Sequence, residues 1–439
     1  MTATASSVPS GLPRRLTMFG LWLLMINGMI GAGIFGLPAS AARLTGTFSP
    51  LLYLLCALLI APIMLCFAEL GSATRDSGGP ARYVGQAFGP LAGFQAGWAL
   101  YIARMTAFAA NLNLLLATLA HFLPPLNEGV ARLAGLAALT GLMAWINILG
   151  VRHAIRSLAG LTLLKLGPLV LLVAVGLLLL GEADHGAVAI ARWPAPEADL
   201  GAAVLLVIYA YVGFEAGLIP GGEAMRPQRD MPRALLLSLA VCALLYVLLQ
   251  WLCIIYLSDL PGSTRPLVQL AEQLLGPAGG MLLVLTVAAS VGANLLGSMF
   301  SAPRISFALG EQGSLPAPFA TVHTRYLTPA NSILCYALLC WALASSGSFV
   351  WLAGLSVLTR VLIYLACIAA LPRVRAGAST DALRLPLGRT IPGMAILACL
   401  GLLSQVSWPS VLATAGLLAI GSVLFWLARR RTRSAHDAH

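Results

Sequence analysis

No charged residue lies between Arg15 and Arg43, and the run that separates them is mostly apolar. About 20 consecutive apolar residues are enough for an α-helix to cross the hydrocarbon core of a bilayer. Eleven further apolar segments follow along the chain. The twelve predicted spans are 16–42, 48–71, 87–120, 131–150, 157–181, 200–221, 234–258, 278–302, 330–346, 349–371, 391–408 and 409–428. We therefore predict an all-α polytopic membrane protein.

The composition agrees with this class. Of the 439 residues, 59% are hydrophobic and only 9% are charged, whereas about a quarter of the residues of a soluble chain are charged. The first fifteen residues are polar, with no apolar core followed by a cleavage site, so we expect no cleaved signal peptide. The chain is then expected to start in the cytoplasm and to insert through its own first span.

The net charge of +11 would suggest a nucleic-acid partner in a soluble protein, but here the topology explains it. When the loops are assigned alternately from a cytoplasmic start, 19 basic residues fall on the cytoplasmic side, 4 on the outer side and 3 inside spans. The positive-inside rule then predicts that both termini are cytoplasmic, in a cell (inner) membrane. No nucleic acid is needed as a partner.

The motifs of enzymes and metal sites are missing from the sequence. All eight cysteines fall within predicted spans, and no CxxC spacing occurs. There is no HExxH, no GxSxG and no GxxxxGK[ST]. We therefore expect no catalytic residues, no metal site and no cofactor. Without a nucleotide-binding motif, any active transport must be driven by solute gradients.

The first span contains residues that are unusual for a helix in lipid: Gly28, Gly31, Gly33, Gly36 and Pro38. Glycine and proline cost a helix roughly 1 and 3 kcal/mol relative to alanine. Irregular backbone within a membrane is tolerated only where it is buried in protein or lines a watery cavity. The pattern thus predicts a helix break beside a cavity.

The sixth span has a similar interruption, formed by Gly213, Gly217 and Pro220. Gly31 and Pro38 are seven residues apart, as are Gly213 and Pro220. Transporters built from inverted repeats place interrupted helices at corresponding positions of their two halves. Two kinked packing helices are the alternative, because glycine lets membrane helices approach closely. The predicted domains are a cytoplasmic tail, two repeats of five spans, two appended spans and a basic cytoplasmic tail: 1–15, 16–181, 200–371, 391–428 and 429–439.

Open helix ends at such breaks offer what a zwitterion requires. The break at Met29–Ile34 should present N–H groups to a carboxylate, and the break at Tyr209–Glu215 should present carbonyl groups to an ammonium. Side-chain selectivity would then fall to neighbours such as Ala32, Tyr209, Tyr211 and Phe214.

Four stretches give the chain a family resemblance. GMIGAGIFGLPA resembles the first-span signature of amino acid permeases of the amino acid–polyamine–organocation (APC) superfamily. Three further stretches, 66–98, 209–234 and 301–316, look like later segments of that family, in the family's order. The resemblance implies the LeuT-type 5+5 inverted repeat with broken helices 1 and 6, and alternating-access transport of amino acids. It places the substrate site at Met29, Ile30, Gly31, Ala32, Gly33, Tyr209, Val212, Gly213 and Phe214.

Two departures bear on the substrate. Arginine- and agmatine-exchanging relatives have a serine at the position of Ala32 and a tryptophan at the position of Tyr209, which argues against an arginine exchanger. Polyamine carriers would also need several carboxylates in the cavity. This chain has only Glu215 there, with Glu69 near the cytoplasmic end of its span.

Lys165 is the only lysine in the chain, and it lies inside the fifth predicted span. An ionisable residue within a span is a functional candidate by default, and a buried lysine can lose its proton whereas arginine does not. In related permeases a lysine here occupies the place of a sodium ion, which would tie the fifth span to the first. Proton coupling and a structural role in an exchanger both stay open. Snorkelling to the interface, roughly 13 Å away at 1.5 Å per residue, is a further alternative.

Three other charged groups lie within spans, and two of them, Glu215 and Arg104, are candidates for coupling or gating. Glu215 is either a proton-linked gate or a cap for free N–H groups of the sixth span. Arg104 and Arg360 are expected to face the bundle interior and to bond carbonyls, Glu215 or another polar side chain. Arg104 could instead contact an acidic substrate side chain. Asn111, Asn113, Asn294 and Ser298 are expected to form interhelical hydrogen bonds.

The leading prediction is a secondary transporter for proton-coupled uptake of neutral amino acids. An amino acid exchanger, or a carrier of cationic amino acids or polyamines, is the alternative within transport. A channel is disfavoured by the single central site, and an enzyme by the lack of a nucleophile–base pair. The expected partners are an amino acid, protons and the lipid bilayer, and a homodimer is one alternative for the oligomeric state.

Overall fold

The structure is a computed structural model that describes residues 17–73, 79–120, 123–149, 158–180, 199–218, 224–377 and 382–436. The predicted N-terminal tail 1–15, Pro220 and the end of the basic tail lie outside these ranges. The described residues contain α-helices and short 3-10 turns but no β-strand. The helices are α1 (Met18–Met29), α2 (Gly33–Thr45), α3 (Ser49–Ala73), α4 (Gly79–Phe88), α5 (Pro90–Leu119), α6 (Gly129–Ile148), α7 (Leu158–Leu179), α8 (Leu200–Ile208), α9 (Pro227–Tyr256), α10 (Pro266–Glu311), α11 (Ala330–Ser346), α12 (Phe349–Gly377), α13 (Thr390–Ser404) and α14 (Trp408–His436).

Seven helical stretches in the described ranges are long and apolar enough to cross a membrane, and the first of them joins α2 and α3 through a 3-10 turn. Four shorter apolar helical segments accompany them, within α1, α7, α11 and α13. The protein is thus a helical, multi-pass membrane protein. The number of twelve spans and the inverted-repeat arrangement stay predictions.

The first predicted span contains two helices rather than one. Thr17 caps α1 by accepting a hydrogen bond from the N–H of Gly20 at 3.2 Å. α1 ends at Met29, and α2 begins at Gly33 without a side-chain cap, because its N-cap residue is Ala32. The break falls within the glycine-rich stretch that predicts it.

The sixth predicted span is interrupted more severely. Asp199 caps α8 by accepting from the N–H of Ala202 at 2.9 Å, but α8 ends after nine residues, at Ile208. A turn leads to Gly213, whose φ of 108° is in the left-handed region that favours glycine. A single 3-10 turn, Phe214–Gly217, follows.

Two elements differ from the predicted spans. α10 is 46 residues long and extends well beyond the predicted span 278–302, with a kink at Gly276, where φ is 70°. α4, between the second and third predicted spans, is a separate helix of ten residues. It was not predicted, because the spans were located by continuous apolar runs, whereas α4 is short and amphipathic.

Side-chain contacts show which helix ends lie together. The guanidinium of Arg373, near the end of α12, stacks over the ring of Phe88 at the end of α4, 4.6 Å from the ring centroid. Arg375 pairs with Glu69 near the end of α3. We call this end of the bundle the basic end. At the opposite end, Asn113 of α5 bonds the carbonyl of Gly347, just before α12.

Candidate functional site

The two helix breaks lie directly against each other. A Cβ added at Gly28 would fall on the carbonyl oxygen of Gly213, and one added at Gly213 would fall on the carbonyl oxygen of Gly28. One turn further, a Cβ at Gly33 would lie 3.0 Å from the Cα of Ala210. Only glycine permits this backbone approach, so Gly28, Gly33 and Gly213 bring the interrupted segments into one place.

The carbonyl groups at the end of α1 are occupied by side chains from three other helices. Lys165 of α7 donates to the carbonyls of Ile30 at 3.0 Å and Asn27 at 3.3 Å. Tyr246 of α9 donates to Met29 at 3.2 Å, and Asn294 of α10 donates to Asn27 at 3.2 Å. Three of the acceptors that the broken helix leaves open, the carbonyls of Asn27, Met29 and Ile30, are thus satisfied by side chains.

The N–H groups at the start of α2 are in the opposite situation. The N–H groups of Ala32 and Ile34 have no acceptor within the described part of the chain. Alanine has no side-chain oxygen that could cap them. Both residues are buried. This helix start therefore offers free donors and the positive end of a helix dipole in the protein interior.

The second break exposes acceptors instead. The carbonyls of Tyr209, Ala210, Tyr211 and Val212 accept no hydrogen bond from any described residue. The N–H of Gly213, in contrast, is occupied, because it donates to Oε2 of Glu215 at 2.9 Å. This segment therefore presents four free carbonyl oxygens, beside the N–H groups of Val212 and Phe214, for which the described residues offer no acceptor either.

Glu215 is held by a buried ion pair with Arg360 of α12. The Nε of Arg360 donates to Oε1 of Glu215 at 2.6 Å, and the hydroxyl of Tyr364 donates to Oε2 at 3.3 Å. Arg360 also donates to the carbonyl of Ala103 at 3.2 Å and to the hydroxyl of Ser356. Both members of the pair are thus hydrogen-bonded on several sides, as a buried charge pair requires.

A chain of hydrogen bonds connects the two breaks through α5 and α10. The hydroxyl of Tyr209 donates to Oδ1 of Asn111 at 2.9 Å, and Nδ2 of Asn111 donates to Oδ1 of Asn294 at 2.9 Å. Asn294 then donates to the carbonyl of Asn27. The side chains of Asn111 and Asn294 also lie 3.7 Å from the position of a Cβ at Gly31.

Comparisons with known proteins agree with this geometry. The sequence profile of a family described as amino acid permease matches residues 16–428, nearly the whole chain. The chain belongs to the amino acid permease family. Its relatives are permeases of the APC superfamily.

Three relatives illustrate the range of similarity. The branched-chain amino acid permease BcaP of Bacillus subtilis is 27% identical over 97% of this permease and 95% of its own length. The serine/threonine exchanger SteT of the same organism is 27% identical over 73% of this permease and 74% of its own length. The rabbit large neutral amino acids transporter small subunit 2 is 28% identical over 71% of this permease, which spans only 60% of that relative.

The predicted substrate residues of the permease come together at the two breaks. Met29, Ile30, Gly31, Ala32 and Gly33 form the first break, and Tyr209, Val212, Gly213 and Phe214 belong to the second. All of them are buried except Gly213, which is partly exposed. The structure thus brings together two groups that are about 180 residues apart in the chain.

Lys165 lies at the first break, inside the protein. Its side chain is only 1% exposed, and its ammonium group contacts the carbonyls at the end of α1. The alternative in which it snorkels to the interface is therefore wrong for this structure. Both remaining readings, a proton-carrying lysine and a fixed structural bridge, require this contact.

Arg104 and Arg360 are in different environments. Arg360 bonds Glu215 and a carbonyl, as the sequence predicts. Arg104 donates from Nη1 to the hydroxyl of Ser301 at 2.8 Å, and its buried Nε has no hydrogen-bond acceptor. Arg104 forms no ion pair with a described residue.

The polar residues predicted to bridge helices do so. Asn111 bonds Asn294, Asn113 bonds the carbonyls of Ala344 and Gly347 at 3.1 Å each, and Ser298 lies 3.2 Å from the hydroxyl of Tyr336. Sequence reasoning missed Tyr246 and Tyr364, because a tyrosine in an apolar helix carries no signal of its partner. It also left Asn27 unmentioned, although an asparagine directly before a glycine-rich break is a detectable signal.

A second ion pair lies at the basic end. Arg375 of α12 donates to both carboxylate oxygens of Glu69, at 2.6 and 2.8 Å. The N–H of Leu385 lies 3.4 Å from Oε2 of Glu69, and Arg375 also reaches the carbonyl of Gly388 at 3.3 Å. Glu69 thus joins α3 to the end of α12 and to the segment before α13.

Proposed function

We propose that this permease is a secondary amino acid transporter that takes up neutral amino acids together with protons, by alternating access. The observation that carries the proposal is the pairing of free groups at the two breaks. Free N–H groups at Ala32 and Ile34 fit a carboxylate, and free carbonyls at Tyr209–Val212 fit an ammonium. Every α-amino acid carries both groups, so the backbone would bind the carboxylate and the ammonium that all substrates share.

Two observations favour a neutral side chain. Described residues place one carboxylate near the second break, Glu215, and Arg360 already neutralises it. A cationic substrate would therefore find no free countercharge there. The names of the three relatives point the same way, since branched-chain and large neutral amino acids, serine and threonine all have uncharged side chains.

The coupling mechanism has two candidates, and Lys165 distinguishes them. If its ammonium loses a proton during the cycle, the bridge to the carbonyls of Asn27 and Ile30 would weaken and the first break could move. If it stays charged, it is a fixed bridge, and the protein would work as an exchanger. SteT is named an exchanger, which keeps this alternative in place.

The placement in the membrane is part of the proposal. We propose that the basic end faces the cytoplasm, because positively charged loops are retained there, in a cell (inner) membrane with both termini on that side. We also propose a homodimer as the first assembly to test. A relative named as a small subunit makes association with a different chain the alternative.

The test is uptake of labelled amino acids into liposomes that contain the purified protein. An inward proton gradient is imposed without sodium, and the vesicles are either empty or loaded with unlabelled amino acids. Lys165→Ala removes the bridge. Lys165→Arg is the matched variant, because it keeps a positive charge but cannot release a proton at accessible pH.

The outcomes separate the candidates. Uptake into empty vesicles that rises with the gradient, and that both variants lose, supports proton symport through Lys165. Uptake only into loaded vesicles, independent of the gradient and retained in Lys165→Arg, supports exchange with Lys165 as a fixed bridge. No saturable uptake of any amino acid under either condition would overturn the proposed function.

A further inference from the structure

The middle of the bundle contains an uncompensated positive charge. Arg104 lies halfway along α5, a helix of 30 residues. Near it, Glu215 and Arg360 neutralise each other, whereas Arg104 pairs with no carboxylate in the described ranges. Arginine keeps its proton in proteins, and a charge at the centre of a membrane span is costly unless something compensates it. The site therefore lacks one negative charge.

The hydrogen bonds of Arg104 leave room for that charge. Its only partner among the described residues is the hydroxyl oxygen of Ser301, at 2.8 Å. Ser301 directs its own proton to the carbonyl of Gly297 at 3.0 Å, so it contributes only a neutral lone pair. Nε of Arg104 is buried and unpartnered. A guanidinium presents donors in a planar fork that matches the two oxygens of a carboxylate.

Arg104 and Ser301 lie on the interface between α5 and α10, which we call the seam. The Asn111–Asn294 pair beside the first break lies on the same interface. On α5, Arg104 precedes Asn111 by seven residues, and on α10, Ser301 follows Asn294 by seven. Seven residues are close to two helical turns, so each pair shares one face of its helix. The Arg104–Ser301 bridge therefore lies about 10 Å from the Asn111–Asn294 bridge, at 1.5 Å per residue.

This seam is open between the two bridges and closed beyond them. At the intermediate level Ala107 is partly exposed and Gly297 is exposed, and a Cβ added at Gly297 would meet no atom within 4 Å. Towards the basic end, the side chain of Leu309 lies 3.8 Å from a Cβ position at Gly97, and Leu309 is buried. Free space thus lies beside Gly297, between the two bridges, whereas the helices are packed at the level of Gly97 and Leu309, nearer the basic end.

We propose that Arg104 and Ser301 form a second, carboxylate-binding site between the helix breaks and the basic end. Its natural ligand is the transported substrate on its way through the protein, and this assignment rests on the proposed function. Two sources share the chemistry: the α-carboxylate that every amino acid carries, and the side-chain carboxylate of an acidic amino acid. The carboxylate site itself does not depend on transport.

The test uses thermal unfolding of the purified full-length protein in detergent. Sodium acetate is the probe, sodium chloride at equal ionic strength is the inorganic anion, and acetamide is the neutral isostere. Arg104→Gln removes the charge, and Arg104→Lys keeps the charge without the fork. Arg265→Gln is the matched control, because Nη1 of Arg265 is also buried and unpartnered, but Arg265 lies just before α10, away from the seam.

Acetate is expected to raise the melting temperature of the wild type by about 2 °C or more over chloride, by linkage of binding to folding, and acetamide is expected to have no such effect. Arg265→Gln should respond like the wild type, Arg104→Lys less and Arg104→Gln least, with any remaining response due to the free N–H groups of the first break. Because Arg104 is partly exposed and has no ion-pair partner among the described residues, Arg104→Gln should be about as stable as the wild type without ligand. An equal acetate response in Arg104→Gln and in the wild type would overturn the site.

Leucine and glutamate then identify the source of the carboxylate. If both stabilise the wild type more than Arg104→Gln, the α-carboxylate is the ligand; if only glutamate does so, the ligand is an acidic side chain. The two proposals also fail separately. Absent uptake with an intact acetate response contradicts only the transport function, and normal uptake with no Arg104-dependent response contradicts only this site.

Discussion

The two helix breaks face each other, but side chains occupy opposite kinds of backbone group at each of them. At the first break, Lys165, Tyr246 and Asn294 occupy the carbonyls, and the N–H groups of Ala32 and Ile34 stay open. At the second break, Glu215 occupies the N–H of Gly213, and the carbonyls of Tyr209–Val212 stay open. Side chains thus occupy only carbonyls at the first break and an N–H group at the second.

This difference shows how two similar interruptions become unlike surfaces. A helix break without side-chain partners has free donors and free acceptors together. It would therefore not favour a carboxylate over an ammonium group. Cationic and hydroxyl donors such as Lys165 cover the acceptors of one break, and the carboxylate of Glu215 covers a donor of the other. The supporting helices therefore set the polarity of each side of the site.

The largest expected effect is a loss of stability when the ion pair between Glu215 and Arg360, beside the second break, is removed. Glu215→Ala would leave Arg360 buried without its partner, and breaking a buried pair in this way costs about 3–5 kcal/mol. Thermal and denaturant unfolding in detergent would measure the loss. Glu69→Ala is the matched control, because its partner Arg375 is 27% exposed and can turn to water. A smaller loss for Glu215→Ala than for Glu69→Ala would contradict the role given to the buried pair.

The polarity of the breaks can be tested with substrate analogues. An amine that lacks the carboxylate cannot use the first break, and an acid that lacks the amino group cannot use the second. Each loses hydrogen bonds to a charged group, worth about 1.5–3 kcal/mol, so inhibition of labelled amino acid uptake should weaken roughly 10- to 100-fold. If the amine or the acid inhibits uptake as well as the parent amino acid does, the assignment of the carboxylate and the ammonium to the two breaks is contradicted.

The backbone contact between the breaks gives a third test. Gly28→Ala places a methyl group on the carbonyl of Gly213, and such overpacking costs about 1–3 kcal/mol. Gly354→Ala on α12 is the control, because a Cβ there would meet no atom within 4 Å. We expect lower thermal stability and slower uptake for Gly28→Ala only. Equal behaviour of the two variants would show that the breaks do not touch in this way.

The smallest expected effect concerns one hydroxyl. Tyr246→Phe removes a donor to the carbonyl of Met29, which still accepts from the N–H of Gly31 at 3.0 Å. The expected loss is about 0.5–1.5 kcal/mol of stability, with an altered KM for uptake. Tyr336→Phe loses a hydroxyl contact with Ser298 instead and should keep the KM of the wild type. A shift in KM for both variants would mean that the effect is not specific to the break.

The sequence predicts the breaks and their position well, for a local reason. Glycine and proline are poor helix formers wherever they occur, so Gly28–Pro38 and Gly213 reveal an interruption without knowledge of the rest of the fold. Lys165 was identifiable for the same kind of reason, since a single lysine within an apolar run requires an explanation.

The partners of these residues could not be assigned from the sequence. Glu215 and Arg360 are 145 residues apart, and either could have bonded a carbonyl instead. Tyr246 looks like any aromatic residue in a membrane helix until its hydroxyl is placed at Met29. Such contacts depend on how the helices pack, and hydropathy contains no information about which faces meet.

The contact between Gly28 and Gly213 also restricts how this protein can evolve. Neither position can gain a side chain while the other backbone segment stays where it is, so neither can contribute to the choice of substrate. Mutations that change specificity without loss of the fold must accumulate at neighbours that have side chains, such as Ala32, Tyr209 and Phe214. The glycine contact would then be the inherited part of the site, and variation between permeases would fall on the side chains around it.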